Sequence, residues 1–369
     1  LAPYSFAPGD DTGREQDDRL IAAWRHIQAL LPGASPIPGP QPVYTLTTAE
    51  GVRDRFVELQ RRLAPLGLLP LLRRQDGRPV LILIPKPAPG RWAWQTNALL
   101  FLATLATTFV AGYVMSTGLV EGGFLGNPFV GGLQFSASLL LILGTHEMGH
   151  KLVAVRRGID ASLPYFIPMI PPVGTMGAVI ITRTPAPNRD SLMDLGASGP
   201  IAGFLAALPL LVYGLRHSFV IQPEQIRGLI SYPDPLLVRL LSRWLVHVPP
   251  GHDLLMHPVL YAGWLGLFVT SLNLLPAGML DGGHAVRSAV GQRAHAILSQ
   301  IGVVLAVVMG AYLMAILMAF LIRRGHVGPL DDLSPMSPSR YAVGVFLIVI
   351  FVLSVVSLSP LPSLIDLFR

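Results

Sequence analysis

Two histidines flank a glutamate in His146-Glu147-Met148-Gly149-His150. On a helix, residues four apart share a face, so both imidazoles can bind one divalent ion. Glu147 stands beside them, suited to be a general base on a water that the ion activates. The chemistry this spacing suggests is metal-assisted hydrolysis, with Zn²⁺ as the ion. Zinc wants a third protein ligand and an open fourth position. The chain has no cysteine, so that ligand must be His, Asp or Glu. Glu224 is the only glutamate downstream of Glu147, and it falls in a loop between apolar runs. His217, His247, His252 and His326 read as loop residues, and His257 and His284 lie at the two ends of an apolar run. The best-placed carboxylate is Asp281, which closes that run in Asn273-Leu-Leu-Pro276-Ala-Gly-Met-Leu280-Asp281-Gly282-Gly283. An acid at such a depth needs a partner, and a metal is a good one. On these grounds alone, Glu224 or a third His stays open as the ligand.

The elements that carry these residues are apolar and long. Thr96–Val120 is free of charge, and Phe129–Val155 holds no charged residue before Lys151 except those of the motif. Further runs cover Ser191–Leu215, His257–Leu280, Ala294–Ile322 and Tyr341–Leu358. Each is near the roughly 20 residues that cross a bilayer core. The expectation is a polytopic α-helical membrane protein of about six spans. Ionisable groups inside a span are costly and mark function.

Composition agrees. Hydrophobic residues make up 51% and charged residues 13%, against roughly a quarter charged in soluble domains. Mean hydropathy is +0.55. Net charge is +6, from 27 basic and 21 acidic residues. The basic residues flank apolar runs rather than forming a stripe with aromatics, which favours a membrane surface over nucleic acid. Arg61, Arg62, Arg73, Arg74, Lys86 and Arg91 precede the first span, Lys151, Arg156 and Arg157 follow the second, and Arg287 and Arg293 follow the fourth. The N-terminal region and these ends are therefore expected in the cytoplasm. Arg227, Arg239, Arg243, Arg323 and Arg324 argue mildly the other way. No basic stretch followed by an apolar run opens the sequence, so no signal peptide is expected.

Residues 1–95 differ from the rest and read as a small soluble α+β domain ahead of a transmembrane domain, 96–369. Leu1–Gly13 is rich in Pro and Gly and reads as loose. Helices are expected over Asp17–Leu31 and Thr47–Leu66, joined by a Pro-rich link, Pro32–Pro42, and an extended run, Val43–Leu46. Leu68–Arg73 and Val80–Ile84 flank Asp76-Gly77, a hairpin signal. Between the second and third spans, Ala161–Thr184 is too short and Pro-rich to cross. It reads as an extended, membrane-dipping hairpin, β-like over Gly177–Arg183, whose edge an unfolded chain could join. Asn273 and Pro276 break the fourth helix, because Pro removes a donor and kinks the span.

His146-Glu147-Met-Gly-His150 in one span, followed two spans later by Asn273-x-x-Pro276-x-x-x-x-Asp281-Gly282, resembles the site-2 protease family of intramembrane zinc metalloproteases. Gly199-Pro200 in the intervening span adds to the likeness, which covers about 96–293, with a catalytic core at about 129–293. The resemblance implies one Zn²⁺ held by His146, His150 and Asp281, with Glu147 as the catalytic base and acid. It implies hydrolysis of peptide bonds in or near transmembrane segments of membrane-protein substrates, as in regulated intramembrane proteolysis. Asn273 and Gly177 are the candidate substrate-binding residues. Pro276, Gly282, Gly199 and Pro200 are structural neighbours of the site. The soluble region ahead of the core resembles the cyanobacterial and plastid branch, which implies a bacterial-type inner or thylakoid-like membrane. The partners implied are the substrate and the bilayer, with no nucleic acid. A membrane zinc peptidase with another third ligand, or a transporter with a midplane metal site, are the competing readings.

Overall fold

Long apolar runs have no route to satisfy their backbone groups in lipid except as helices. A computed structural model describes residues 12–39, 41–48, 51–88, 93–222, 234–323 and 325–355, and most of these are helical. Among the described residues, four helices are long and apolar enough to cross a membrane: α3 (Trp94–Glu121), α4 (Pro128–Arg156), α5 (Arg189–His217) and α8 (Asp281–Val308). Each contains one of the expected spans or most of it. The N-cap of α4 is Asn127, whose side chain accepts from Phe129 N–H. Asn188 caps α5 in the same way, accepting from Ser191 N–H.

The later apolar runs depart from expectation. The fourth forms α7, Pro258–Asn273, and stops there. Pro276 and the left-handed Gly278 (φ 54°) turn the chain, so Asp281 opens α8 instead of closing the fourth span. The fifth run, Ala294–Ile322, is not one helix. It falls within α8 and α9 (Tyr312–Arg323), which part at Gly310 (φ 78°). A Cβ on Gly302 would lie 3.4 Å from Met318 Cε, so the two helices fold back along each other. The hairpin returns Arg323 to the end of the bundle where Asp281 starts, since Gly278 lies beside Leu321 and Ile322. The last apolar helix is α10 (Pro338–Ser354). Outward faces of these helices are apolar, with Ile297, Val304, Leu313, Ile316, Val345 and Ile348 each more than half exposed.

Ahead of the bundle, α1 (Thr12–Leu30) and α2 (Val52–Leu63) pack on an antiparallel sheet ordered β1-β2-β4-β3, formed by Ser35–Ile37, Val43–Thr45, Arg78–Pro85 and Leu68–Gln75. β1 lies in what reads as a Pro-rich link, and α2 is shorter than its sequence suggests. The Asp76-Gly77 turn is as expected, with φ of 50° and 80°. Its core joins Ile27, Phe56, Leu59 and Leu63 to Leu72, Leu81 and Leu83. Opposite, beyond α5, β7 (Phe219–Ile221) pairs with β8 (Asp253–Leu255), and α6 (Leu236–Leu245) packs on the bundle through Leu237 and Val238.

The loop between α9 and α10 ties the sheet to the bundle. Leu72 N–H donates to Leu330 O at 2.8 Å, and Leu330 N–H donates to Ala186 O at 2.8 Å. Arg287 of α8 is wholly buried and donates two bonds to Asp332, at 2.9 and 2.5 Å. Arg189 adds a contact to Asp332 at 3.4 Å. Asp332→Ala leaves a buried guanidinium without its carboxylate, which costs about 3–5 kcal/mol. The expected result is a clearly lower melting temperature of the detergent-solubilised protein; an unchanged one would refute it.

The N-terminal segment 1–11, Arg91, Arg227, Glu224, Arg324 and residues 356–358 of the sixth run lie outside the described residues.

Candidate metal centre

The motif lies about two-thirds of the way along α4, and its 3.6-residue turn puts His146 and His150 one above the other. Both are buried, as is Glu147. Asp281 reaches them from the first turn of α8, where the partial positive charge of the helix end favours a carboxylate. His146 Nε2 is 3.1 Å from Asp281 Oδ2, and His150 Nε2 is 3.2 Å from Asp281 Oδ1. The two Nε2 atoms are 3.2 Å apart. Among the described residues these three are the one group of His and acidic side chains placed to hold a metal, with ligand atoms all within 4.8 Å of one another.

The donor set fits zinc. Leu195 O, 2.8 Å away, can only accept, so His150 Nδ1 carries its hydrogen and Nε2 presents a lone pair to the centre. An orienting partner for this histidine is invisible in the sequence, because any residue type offers a backbone carbonyl. Two imidazole nitrogens facing each other beside a carboxylate make a site for a cation.

Helix α5 makes the room. A Cβ on Gly199 would lie 2.0 Å from His150 Nε2. One on Gly203 would lie 3.1 Å from His146 Cβ, and one on Gly196 would lie 2.7 Å from Asp281 O. Three of the four glycines of α5 are thus placed one against each member of the group, while Gly214 lies against Leu260. Gly149 of α4 answers them, since its Cβ would meet Ser198 O at 2.6 Å. Pro200, next to Gly199, is buried in the same helix. Gly282 is needed because Leu274 O lies 2.1 Å from where its Cβ would be, so the turn around Pro276 closes onto α8.

Asn273, the last residue of α7, is brought to the group, with Nδ2 3.4 Å from His146 Nε2. Gly177 lies in a hairpin of β5 (Tyr165–Pro168) and β6 (Thr175–Val179). This hairpin is shorter than Gly177–Arg183 suggests, but it runs deep. A Cβ on Gly174, at its tip, would touch the backbone of Thr107 and Thr108, midway along α3. His284 and His326, remote in sequence, also meet, with His284 Nδ1 2.8 Å from His326 Nε2. Gly328 N–H donates to His326 Nδ1 at 2.9 Å, which leaves Nε2 as the donor to His284.

The sequence profile of peptidase family M50 matches residues 134–317, about half of the chain and the whole of this centre. The chain belongs to peptidase family M50. Curated relatives carry the name of zinc metalloproteases. The probable zinc metalloprotease EGY1, chloroplastic, of Arabidopsis thaliana is 37% identical over 175 residues, which are 45% of this chain and 31% of that protein. The probable zinc metalloprotease EGY2, chloroplastic, of the same plant is 26% identical over 303 residues, 78% of this chain and 53% of that protein. The rice protein of the first name (Oryza sativa subsp. japonica) is 34% identical over 175 residues, 45% of this chain and 30% of its own length. The chain thus spans about a third to a half of the length of these relatives. No solved structure matches it.

Proposed function

We propose that this M50 chain is an intramembrane zinc metalloprotease that hydrolyses peptide bonds in or near transmembrane segments of membrane proteins. The observation that carries the reading is the convergence of His146, His150 and Asp281 in and beside a helix apolar enough to cross a bilayer. The names of the relatives support zinc as the ion and a plastid-type membrane as its place. On this reading residues 1–95 form a soluble domain on the cytoplasmic side, or its organellar equivalent. Residues 96–369 form the membrane domain, built from about six apolar segments, of which the fifth is folded back on itself as the α8–α9 hairpin.

His146 and His150 would hold zinc through their imidazoles, and Asp281 through its carboxylate. Bound there, zinc supplies Lewis acidity towards a scissile carbonyl and a water. Glu147 takes the proton of the attacking water and passes it to the leaving amine nitrogen. Asn273 turns its amide hydrogens towards the same space, where they stabilise the carbonyl oxygen as it gains charge. His150 keeps its tautomer through Leu195 O. Gly177 places the hairpin where an unwound substrate strand pairs with it.

Metal analysis joined to cleavage of a single-span substrate tests the assignment. Wild-type protein is expected to carry one zinc. Asp281→Ala is expected to lose most of it together with cleavage, and Glu224→Ala to keep both. The reverse pattern would sink the ligand set and favour a soluble-type zinc peptidase.

A further inference from the structure

A cavity of about 410 Å³ opens between α4, α5 and α10, within the roughly 300–1,000 Å³ of ligand sites. Its mouth is ionic, formed by Arg156 and Arg157 at the end of α4 and by Asp194 of α5. Arg157 is hydrogen-bonded to Asp194. Arg340, in the first turn of α10, also binds Asp194, through Nε and Nη2 at 3.1 Å each. Three arginines against one aspartate leave a formal charge of +2 (3 − 1). The side chains of Arg157 and Arg340 remain 36% and 30% exposed, so their guanidiniums keep hydrogens for a ligand.

The wall below the mouth is apolar. Val153 lies one turn inside Arg156, Val343 one turn inside Arg340, and Ile201 two turns inside Asp194. The starts of α5 and α10 are tied together through Asp190 and Ser337, which both bond Arg53 of α2. A cationic mouth at the membrane surface above an apolar stem matches an amphiphile with an anionic head. A soluble anion has no use for the stem. Ser198 lines the same cavity and donates to Leu195 O at 3.0 Å, the carbonyl that holds His150.

We propose that this cavity binds a bilayer lipid with an anionic headgroup. Arg156 and Arg157 donate to its head, and its acyl chain runs along Val153, Ile201 and Val343. The site is distinct from the metal group, and its occupancy is read without proteolysis.

The test places the full chain in nanodiscs of phosphatidylcholine with a minor share of phosphatidylglycerol and counts retained lipid by native mass spectrometry. Wild-type protein is expected to hold phosphatidylglycerol about thirty-fold more tightly than an Arg156→Gln, Arg157→Gln double variant, each arginine contributing about fivefold at a membrane surface. Val343→Trp keeps every charge and fills the stem, so it is expected to lose the lipid as well. Arg61→Gln with Arg62→Gln, on the exposed face of α2, removes the same charge elsewhere and is expected to bind as wild type does. Equal retention by the double variant or by Val343→Trp overturns the proposal. So does loss of lipid in the α2 control, or displacement of the lipid by millimolar inorganic phosphate.

Discussion

Glu147→Gln is expected to keep the metal and to lower cleavage by roughly 10²–10⁴-fold, the usual contribution of a general base. The two halves of the result have separate causes. Zinc retention follows because Glu147 stands outside the proposed ligand group of His146, His150 and Asp281. Loss of rate follows because the amide of Gln fills the same space but cannot take a proton from water. Glu147 is only 6% exposed, so solvent has little access through which a bulk base could replace it. The measurement pairs metal content with the cleavage rate of a single-span substrate, on protein in the same lipid. Unchanged cleavage would show that the water is activated elsewhere, and loss of zinc would show that Glu147 is a ligand. The variant therefore separates the base from the ligand set, which Asp281→Ala tests from the other side.

Much of this centre was legible in the chain because its chemistry is local. The i, i+4 spacing of His146 and His150 needs only a helix, and the charge-free flanks of α4 make that helix a span. Asp76-Gly77 announced its hairpin because few dipeptides accept two positive φ angles. Asp281 was legible as a residue but not as an element. Hydropathy sees an apolar run continuing from His257 to Leu280, whereas the backbone leaves the helix at Asn273 and starts a new one at Asp281. The fold-back of α9 on α8 was hidden for the same reason, since one Gly310 inside an apolar run is common in spans. Contacts between remote segments left no trace at all. Leu195 O, the Arg287–Asp332 pair and the His284–His326 pair depend on which helices meet.

Gly199→Ala is the smallest change expected to abolish the centre. A methyl there would sit 2.0 Å from His150 Nε2 and 2.5 Å from the ring carbons on either side of it. Heavy atoms in contact need about 3.5–4.0 Å, so the ring must leave. It is held from both sides, since Nδ1 is bonded to Leu195 O and the ring lies edge-on to His146 at 5.0 Å. Swinging out would break the first contact and point Nε2 away from Asp281. Moving α5 instead would pull Gly196 and Gly203 from Asp281 and His146. Either response separates the ligand atoms, so the variant is expected to lose most of its zinc and to show cleavage at background. A second glycine supplies the comparison. Gly144 lies on α4 itself, one residue outside the motif's first turn, and a Cβ there meets nothing within 4 Å. Gly144→Ala is expected to keep metal, cleavage and melting temperature, with at most a small gain in helix stability. If Gly199→Ala instead kept its zinc, the open space beside His150 would serve helix packing alone, and the geometry argued for the ion would be wrong.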